Sequence, residues 1–151
     1  MIVRNLSNAQ KGLLSVVIPL VYLAPLAGLW FLPKQFGFGH RPVVFTGLAI
    51  GISGLALWLA SMAHLGKSLA VLPTADELVT HGVYRWLRHP IYRGIELTLC
   101  GVALICGSWP GIVYVLAVVL PLNIMRGRWE EYALLERFGD RYRAYRDQTW
   151  F

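Results

Sequence analysis

Four apolar runs lie along the chain, at residues 13–33, 43–63, 91–106 and 109–125. The first two are each about 20 residues long, the length at which an α-helix crosses the hydrocarbon core of a bilayer. Pro19 and Pro25 lie inside the first run; a membrane helix tolerates them, and a kink is expected. The second run carries Gly47 and Gly51 four apart, followed by Gly54. Small residues at that spacing let a neighbouring helix approach closely, so the pattern predicts a tight hairpin between the first two runs. The third and fourth runs are shorter. They predict a tilted or partly embedded second hairpin, turned by Gly107, Pro110 and Gly111.

The longest polar stretch covers residues 64–89. Thr74 and Glu77 fit a capping box for a short helix after Pro73, and Gly82 marks a turn. From 126 onward, Trp129, Tyr132, Leu135, Phe138, Tyr142 and Tyr145 recur at steps of three or four between arginines, which predicts an amphipathic helix at a membrane surface. The fold class expected is therefore an all-α integral membrane protein, with about four transmembrane helices in two hairpins plus a C-terminal amphipathic helix.

Composition agrees with a bilayer as the solvent: 56% of the 151 residues are hydrophobic and only 15% charged, leaving too little polar surface for a soluble domain of this size. The net charge of +6 reads as orientation and contact with anionic headgroups. The arginines flank apolar runs and form no nucleic-acid reader motif, so no nucleic-acid partner is expected. Arg4, Lys11, Lys67, Arg85, Arg88, Arg93 and the tail arginines fall on one side of a four-span topology, against Lys34, His40 and Arg41 on the other. Both termini are then expected to be cytoplasmic. The first run is too long for a signal-peptide core and lacks a cleavage site, so it is expected to be retained. Cys100 and Cys106 are six apart on one helix, which suits packing and not a mutual disulfide. The six tryptophans fall near span ends or in the tail, where interface anchoring is expected. His64 reads mainly as another interfacial anchor and His40 as solvated; His81 is a loop residue that could lie near a ligand.

Chemistry concentrates at residues 78–92. Pro90 pushes His89 out of helical geometry and itself suits a first helical turn. Arg88 and His89 then stand at the amino end of the third run, where backbone N–H groups and the helix dipole favour a carboxylate or another small anion. His89, Tyr92 and Glu96 follow at i, i+3 and i+7, on one face. Glu96, ionisable within an apolar run, is expected to face the bundle interior or a wet cavity. Spacing alone equally allows Arg88 and His89 to be positive-inside anchors and Tyr92 a belt aromatic. A second cluster, Arg126, Glu130 and Glu131, follows the fourth run. Taken alone, Arg126 and Glu130 read as a surface ion pair worth ~0.3–0.5 kcal/mol. Asn123, one turn before Arg126, either joins that cluster or satisfies a neighbouring helix.

Two blocks bear on both clusters. The first is Gly82-x-Tyr84 followed by Arg88-His89-Pro90-x-Tyr92. The second is Glu130-Glu131-x-x-Leu134-x-x-x-Phe138-Gly139-x-x-Tyr142-x-x-Tyr145. Together they resemble the signature of the isoprenylcysteine carboxyl methyltransferase family, membrane-embedded S-adenosylmethionine-dependent enzymes related to phospholipid methyltransferases. The resemblance covers roughly the second half of the chain.

The resemblance implies a single membrane domain over residues 1–151, divided into an N-terminal helical hairpin (1–63) and a cofactor-binding catalytic region (64–151). It implies a cytosol-facing pocket for S-adenosylmethionine, capped by the C-terminal segment. Leu78 and Val79 would touch the cofactor through backbone and apolar contacts. Tyr84, His89 and Tyr92 would hold its polar and aromatic parts, with Pro90 and Ile91 in the same wall, and Glu130 would bind it from the second block. Arg126 would lie beside the reacting group of the substrate, with Glu96 as a further substrate-side residue, so Arg126 and Glu130 are the expected catalytic pair. Asp76 stands where relatives often carry histidine, and relatives usually continue past the position of Phe151 with a basic, proline-containing stretch. The implied partners are the membrane and a lipid-like or prenylated acceptor from the bilayer. A prenylated cysteine carboxylate is the leading acceptor and a phospholipid amine the alternative. No metal is required, and no His/Cys cluster implies one. Two other classes stay open on the sequence: a nicotinamide-dependent membrane reductase, which would bind NADPH in preference to S-adenosylmethionine, and a non-catalytic membrane adaptor, which would tolerate loss of Arg126 and His89.

Overall fold

The computed structural model describes residues 7–31, 34–66 and 78–150. The capping box at Thr74 and Glu77 lies outside the described residues, as do Arg4, Lys67 and Asp76 and the side chains of Lys11 and Trp30. The described residues form α1 (Asn8–Phe31), α2 (Arg41–Leu65), a 3₁₀ turn (Gly82–Arg85), α3 (Pro90–Ile105), α4 (Trp109–Tyr114), a π-helical segment (Val115–Val119), α5 (Leu120–Phe138) and α6 (Asp140–Asp147). Their one departure from helix and loop is an isolated parallel bridge between Leu87 and Trp150. The all-α membrane architecture is as expected.

Small residues face inward and large apolar ones outward, the reverse of a soluble bundle. On α2, Gly47, Gly51, Gly54 and Ser61 are buried, while Phe45, Ile52 and Leu59 are exposed. Lipid is as apolar as leucine, so helices here gain by close backbone approach and not by hiding leucine from water. The partner of that glycine stripe differs from the expectation. It is α3, not α1: a Cβ at Gly54 would stand 2.5 Å from the backbone N of Thr98, and one at Gly94 2.7 Å from the backbone N of Trp58. Gly47 and Gly51 face Gly101 in the same antiparallel sense. α1 packs instead on α3 and α4. Trp58, expected as an interface anchor, packs against the core of Ile95, Leu99, Val115 and Val119.

The fourth run also departs from its pattern. The change of polarity near residue 125 predicts an end there, with the tail as a separate helix. Helix runs unbroken through the 30 residues Trp109–Phe138, because nothing between Met125 and Phe138 breaks it. The helix stops only at Gly139, whose φ of 50° lies in the left-handed region. Within it, Pro121 lacks an amide proton and would crowd the preceding turn; the π segment widens the helix there, with Leu120 N donating to Val115 O. Among the described residues three helices, Asn8–Gly28, Arg41–Leu65 and Trp109–Phe138, are long and apolar enough to cross a membrane. α3, with 16 residues, rises only about 24 Å.

The two short turns meet at one end. Gly107 O accepts hydrogen bonds from Gln35 N (2.8 Å) and Phe36 N (3.1 Å). Ser108, buried, caps α4 by accepting from Gly111 N at 3.2 Å. The C-terminus of α2 and the N-terminus of α3 therefore lie together at the opposite end, joined by the segment that includes residues 78–89.

Candidate active site

Pro90 opens α3 as its first residue, and His89 precedes it at φ −125° and ψ 56°, the departure from helix that a following proline demands. His89 turns its ring toward α5. Its Nδ1 lies 3.4 Å from Glu130 Oε2 and its Nε2 3.3 Å from Glu131 Oε1. Gly127 makes this approach possible, since a Cβ there would already stand 3.3 Å from the imidazole. Arg88 reaches Glu131 at 3.1 Å. Tyr92 donates from its hydroxyl to Glu130 Oε2 at 3.2 Å, and its ring stacks near that of His89, with centroids 5.7 Å apart. Buried Arg126 lies over the Tyr92 ring, 4.9 Å from its centroid, a cation–π contact.

A second polar group continues inward from this one. Arg126 donates to the Tyr22 hydroxyl of α1 at 2.8 Å. Asn123 donates to Glu96 Oε1 at 3.1 Å, and Arg93 to Glu96 Oε2 at 2.8 Å. α1, α3 and α5 thus share one polar chain that runs from Arg93 to Arg88, buried at Asn123 and Arg126 and half-buried elsewhere.

The loop before His89 is held from two directions. Gly82, at φ 61°, rests on the His64 ring, which a Cβ would overlap. His64 Nδ1 is anchored to Ala60 O at 2.6 Å. His64 therefore supports the loop, a role its expected place as an interfacial anchor did not include. From the other side α6 folds back over the loop. Tyr142 packs with Leu78 and Leu134, Tyr145 donates to Tyr84 O at 2.7 Å, and Trp150 brackets Leu87 through Trp150 N to Trp86 O and Arg88 N to Trp150 O, both 2.9 Å. The Tyr142 hydroxyl is buried and meets no hydrogen-bond partner among the described residues. Burial raises the pKa of this phenol, so it stays protonated at physiological pH.

Burial opposes charge on His89, but the carboxylates of Glu130 and then Glu131 outweigh it and raise the imidazole pKa to about 9. The ring is therefore cationic at neutral pH. Because the folded pKa lies above the unfolded one, the stabilisation is complete below about pH 6.5 and is lost as pH rises toward and through about 9. The melting-temperature advantage of the wild type over His89→Gln in detergent is expected to shrink across that window. An advantage that grows with pH would contradict the pairing.

A family model for phospholipid methyltransferase matches residues 42–141. The chain belongs to the phospholipid methyltransferase family. Among curated relatives, the protein-S-isoprenylcysteine O-methyltransferase of Mus musculus is 33% identical over 112 residues, 69% of this chain and 38% of the relative. The A form from Arabidopsis thaliana is 37% identical over 116 residues, 73% of this chain and 58% of the relative. The Schizosaccharomyces pombe enzyme is 29% identical over 113 residues, covering 70% of this chain and 48% of the relative. The chain thus spans less than two thirds of the length of these relatives. The resemblance read from the two blocks is borne out.

In this phospholipid methyltransferase family member the matched region runs from the start of α2 into α6 and contains every residue that the resemblance assigned to cofactor, substrate or catalysis. His89, Tyr92, Arg126 and Glu130 are brought into one cluster, and Glu96 joins it through Asn123. Pro90 is buried at the start of α3, with Ile91 partly buried against the core. Leu78, Val79 and Tyr84 are also buried, Leu78 and Tyr84 beneath α6. Sequence reasoning passed over Tyr22, which stands before the matched region. A tyrosine in the middle of an apolar run, away from the interface, was the available signal, since its hydroxyl needs a partner there.

Proposed function

We propose that the chain is a membrane methyltransferase that moves a methyl group from S-adenosylmethionine to a lipid-like acceptor, a carboxylate as in isoprenylcysteine O-methylation. One observation carries this reading. Two segments far apart in sequence, Arg88–Tyr92 and Arg126–Glu131, meet at a cluster of two arginines, one imidazole and two carboxylates at the mouth of a helical bundle. The names of the relatives support the same chemistry.

The residues present fit the cofactor. Its ribose hydroxyls and ammonium group call for carboxylates, which Glu130 and Glu131 supply, and the buried Tyr142 hydroxyl has no partner among the described residues. Leu78, Val79, Tyr84, His89, Pro90, Ile91, Tyr92 and Glu130 would hold it. When bound, S-adenosylmethionine supplies an electrophilic methyl group on a cationic sulfur. In-line displacement then asks the protein mainly for alignment and exclusion of water. Arg126 orients the acceptor carboxylate, which is already ionised at neutral pH and needs no base. α6 and the Leu87–Trp150 bridge cover the loop and keep water out. The site faces the cytoplasm, with both termini on that side, by the distribution of positive charge.

A second reading, methylation of a phospholipid amine, is favoured by the description of the matching family. There the acceptor must lose a proton, and Glu130 or Glu96 would take it. Purified protein incubated with methyl-labelled S-adenosylmethionine and either a prenylcysteine or a total lipid extract separates the two, because a methyl ester releases methanol in mild base and an N-methyl group does not. The expected product is base-labile. A base-stable lipid product favours the second reading, and absence of transfer to either acceptor overturns both. His89→Ala is expected to weaken cofactor binding most, and Arg126→Ala to lower turnover more than cofactor affinity.

A further inference from the structure

Arg126 is the proposed acceptor-orienting group, yet an arginine has several rotamers and its guanidinium plane must be fixed to align a carboxylate. The structure contains a device for that purpose. The Tyr22 hydroxyl gives its own proton to Asn123 Oδ1 at 2.5 Å and so presents a lone pair, which accepts from Arg126 at 2.8 Å. Asn123 is in turn held with its carbonyl toward Tyr22, because its Nδ2 donates to Glu96 Oε1 at 3.1 Å and lies 3.4 Å from Tyr92 O. The Tyr92 ring lies against the guanidinium on another side. Polarity is thus passed in one sense from the Glu96 carboxylate through the amide and the phenol to the guanidinium. Reversing the amide would set its carbonyl oxygen against the Glu96 carboxylate, two acceptors with no proton between them.

We infer that Tyr22, on α1 and outside the family-matched region, is a positioning residue that sets the orientation of Arg126 toward the acceptor carboxylate, with Asn123 and Glu96 fixing the direction of its hydroxyl. The inference rests on the carboxylate reading of the site. It gives α1 a part in acceptor recognition, although this helix holds none of the residues assigned to the cofactor. It also explains why α5 carries a buried asparagine one turn before Arg126.

Tyr22→Phe removes the hydroxyl and keeps the ring. With N-acetyl-S-farnesylcysteine as the probe, its affinity is expected to fall about tenfold, in line with loss of a hydrogen bond to a charged group. The Kd for S-adenosylmethionine is expected to stay near wild type, which a general loss of structure would not allow. On an Arg126→Ala background Tyr22→Phe is expected to have no further effect on probe binding. Wild-type affinity for the probe in Tyr22→Phe, or an equal loss with and without Arg126, would overturn the inference. Failure of the functional reading registers separately, as absence of methyl transfer by the wild type.

Discussion

Glu130→Gln is expected to lower kcat/KM for methyl transfer about 100-fold while the protein remains folded. The substitution keeps the shape of the side chain and removes its charge. That charge faces His89 Nδ1 at 3.4 Å and accepts from the Tyr92 hydroxyl at 3.2 Å. A hydrogen bond to a charged group contributes ~1.5–3 kcal/mol, or roughly 10- to 150-fold in rate. Here one carboxylate serves both the imidazole and the phenol, and it is the proposed partner of the cofactor. Two readouts accompany the loss. The Kd for S-adenosylmethionine should rise, and the His89 pKa should move down from about 9, since Glu130 leads the groups that raise it. Retention of activity within a factor of two, with an unchanged His89 titration, would remove Glu130 from the site.

The second large effect is on the fold. Gly101→Leu is expected to prevent assembly of α2 on α3. A Cβ at Gly101 would collide with the backbone N and Cα of Gly51 and approach Gly47 O to 2.6 Å. Backbone atoms in a helix cannot move aside as a flexible side chain can. Overpacking costs ~1–3 kcal/mol where side chains can adjust, so the cost here is expected at or above the top of that range. Gly101→Ala should also destabilise, by less. Gly28→Ala serves as the control, because nothing lies within 4 Å of a Cβ at Gly28. Melting temperatures in one detergent test the series. Equal stability for Gly101→Leu and the control would contradict the close contact. Because α3 carries Tyr92 and Glu96 and follows directly on His89, loss of α2–α3 packing should abolish cofactor binding as well.

The start of α3 was legible because Pro90 acts locally: it sets the geometry of His89 and the phase of Tyr92 and Glu96. The convergence of the two blocks was legible through their resemblance, not through spacing. Other features depend on partners distant in sequence. Gly47, Gly51 and Gly54 announce a close helix without saying which one, and α3 proved to be that helix in place of α1. The polarity change at Arg126 resembled a helix boundary, but polarity decides which face is buried and not where hydrogen bonding stops. Only Gly139 supplies a backbone reason to stop. Tyr22 carries no local pattern; its role appears only when α1 lies against Asn123 and Arg126. The Leu87–Trp150 bridge is likewise invisible in a tail that reads as an amphipathic helix.

The segment around residues 78–92 and the α5–α6 region are proposed to form one site for S-adenosylmethionine. Ultraviolet cross-linking of the purified protein with methyl-labelled S-adenosylmethionine, followed by peptide mapping, tests it most directly. Label is expected in peptides from 78–92 and from 126–145, lost when S-adenosylhomocysteine competes and much reduced in His89→Ala. Label confined to α1 and α2, or label that the competitor does not displace, would contradict it.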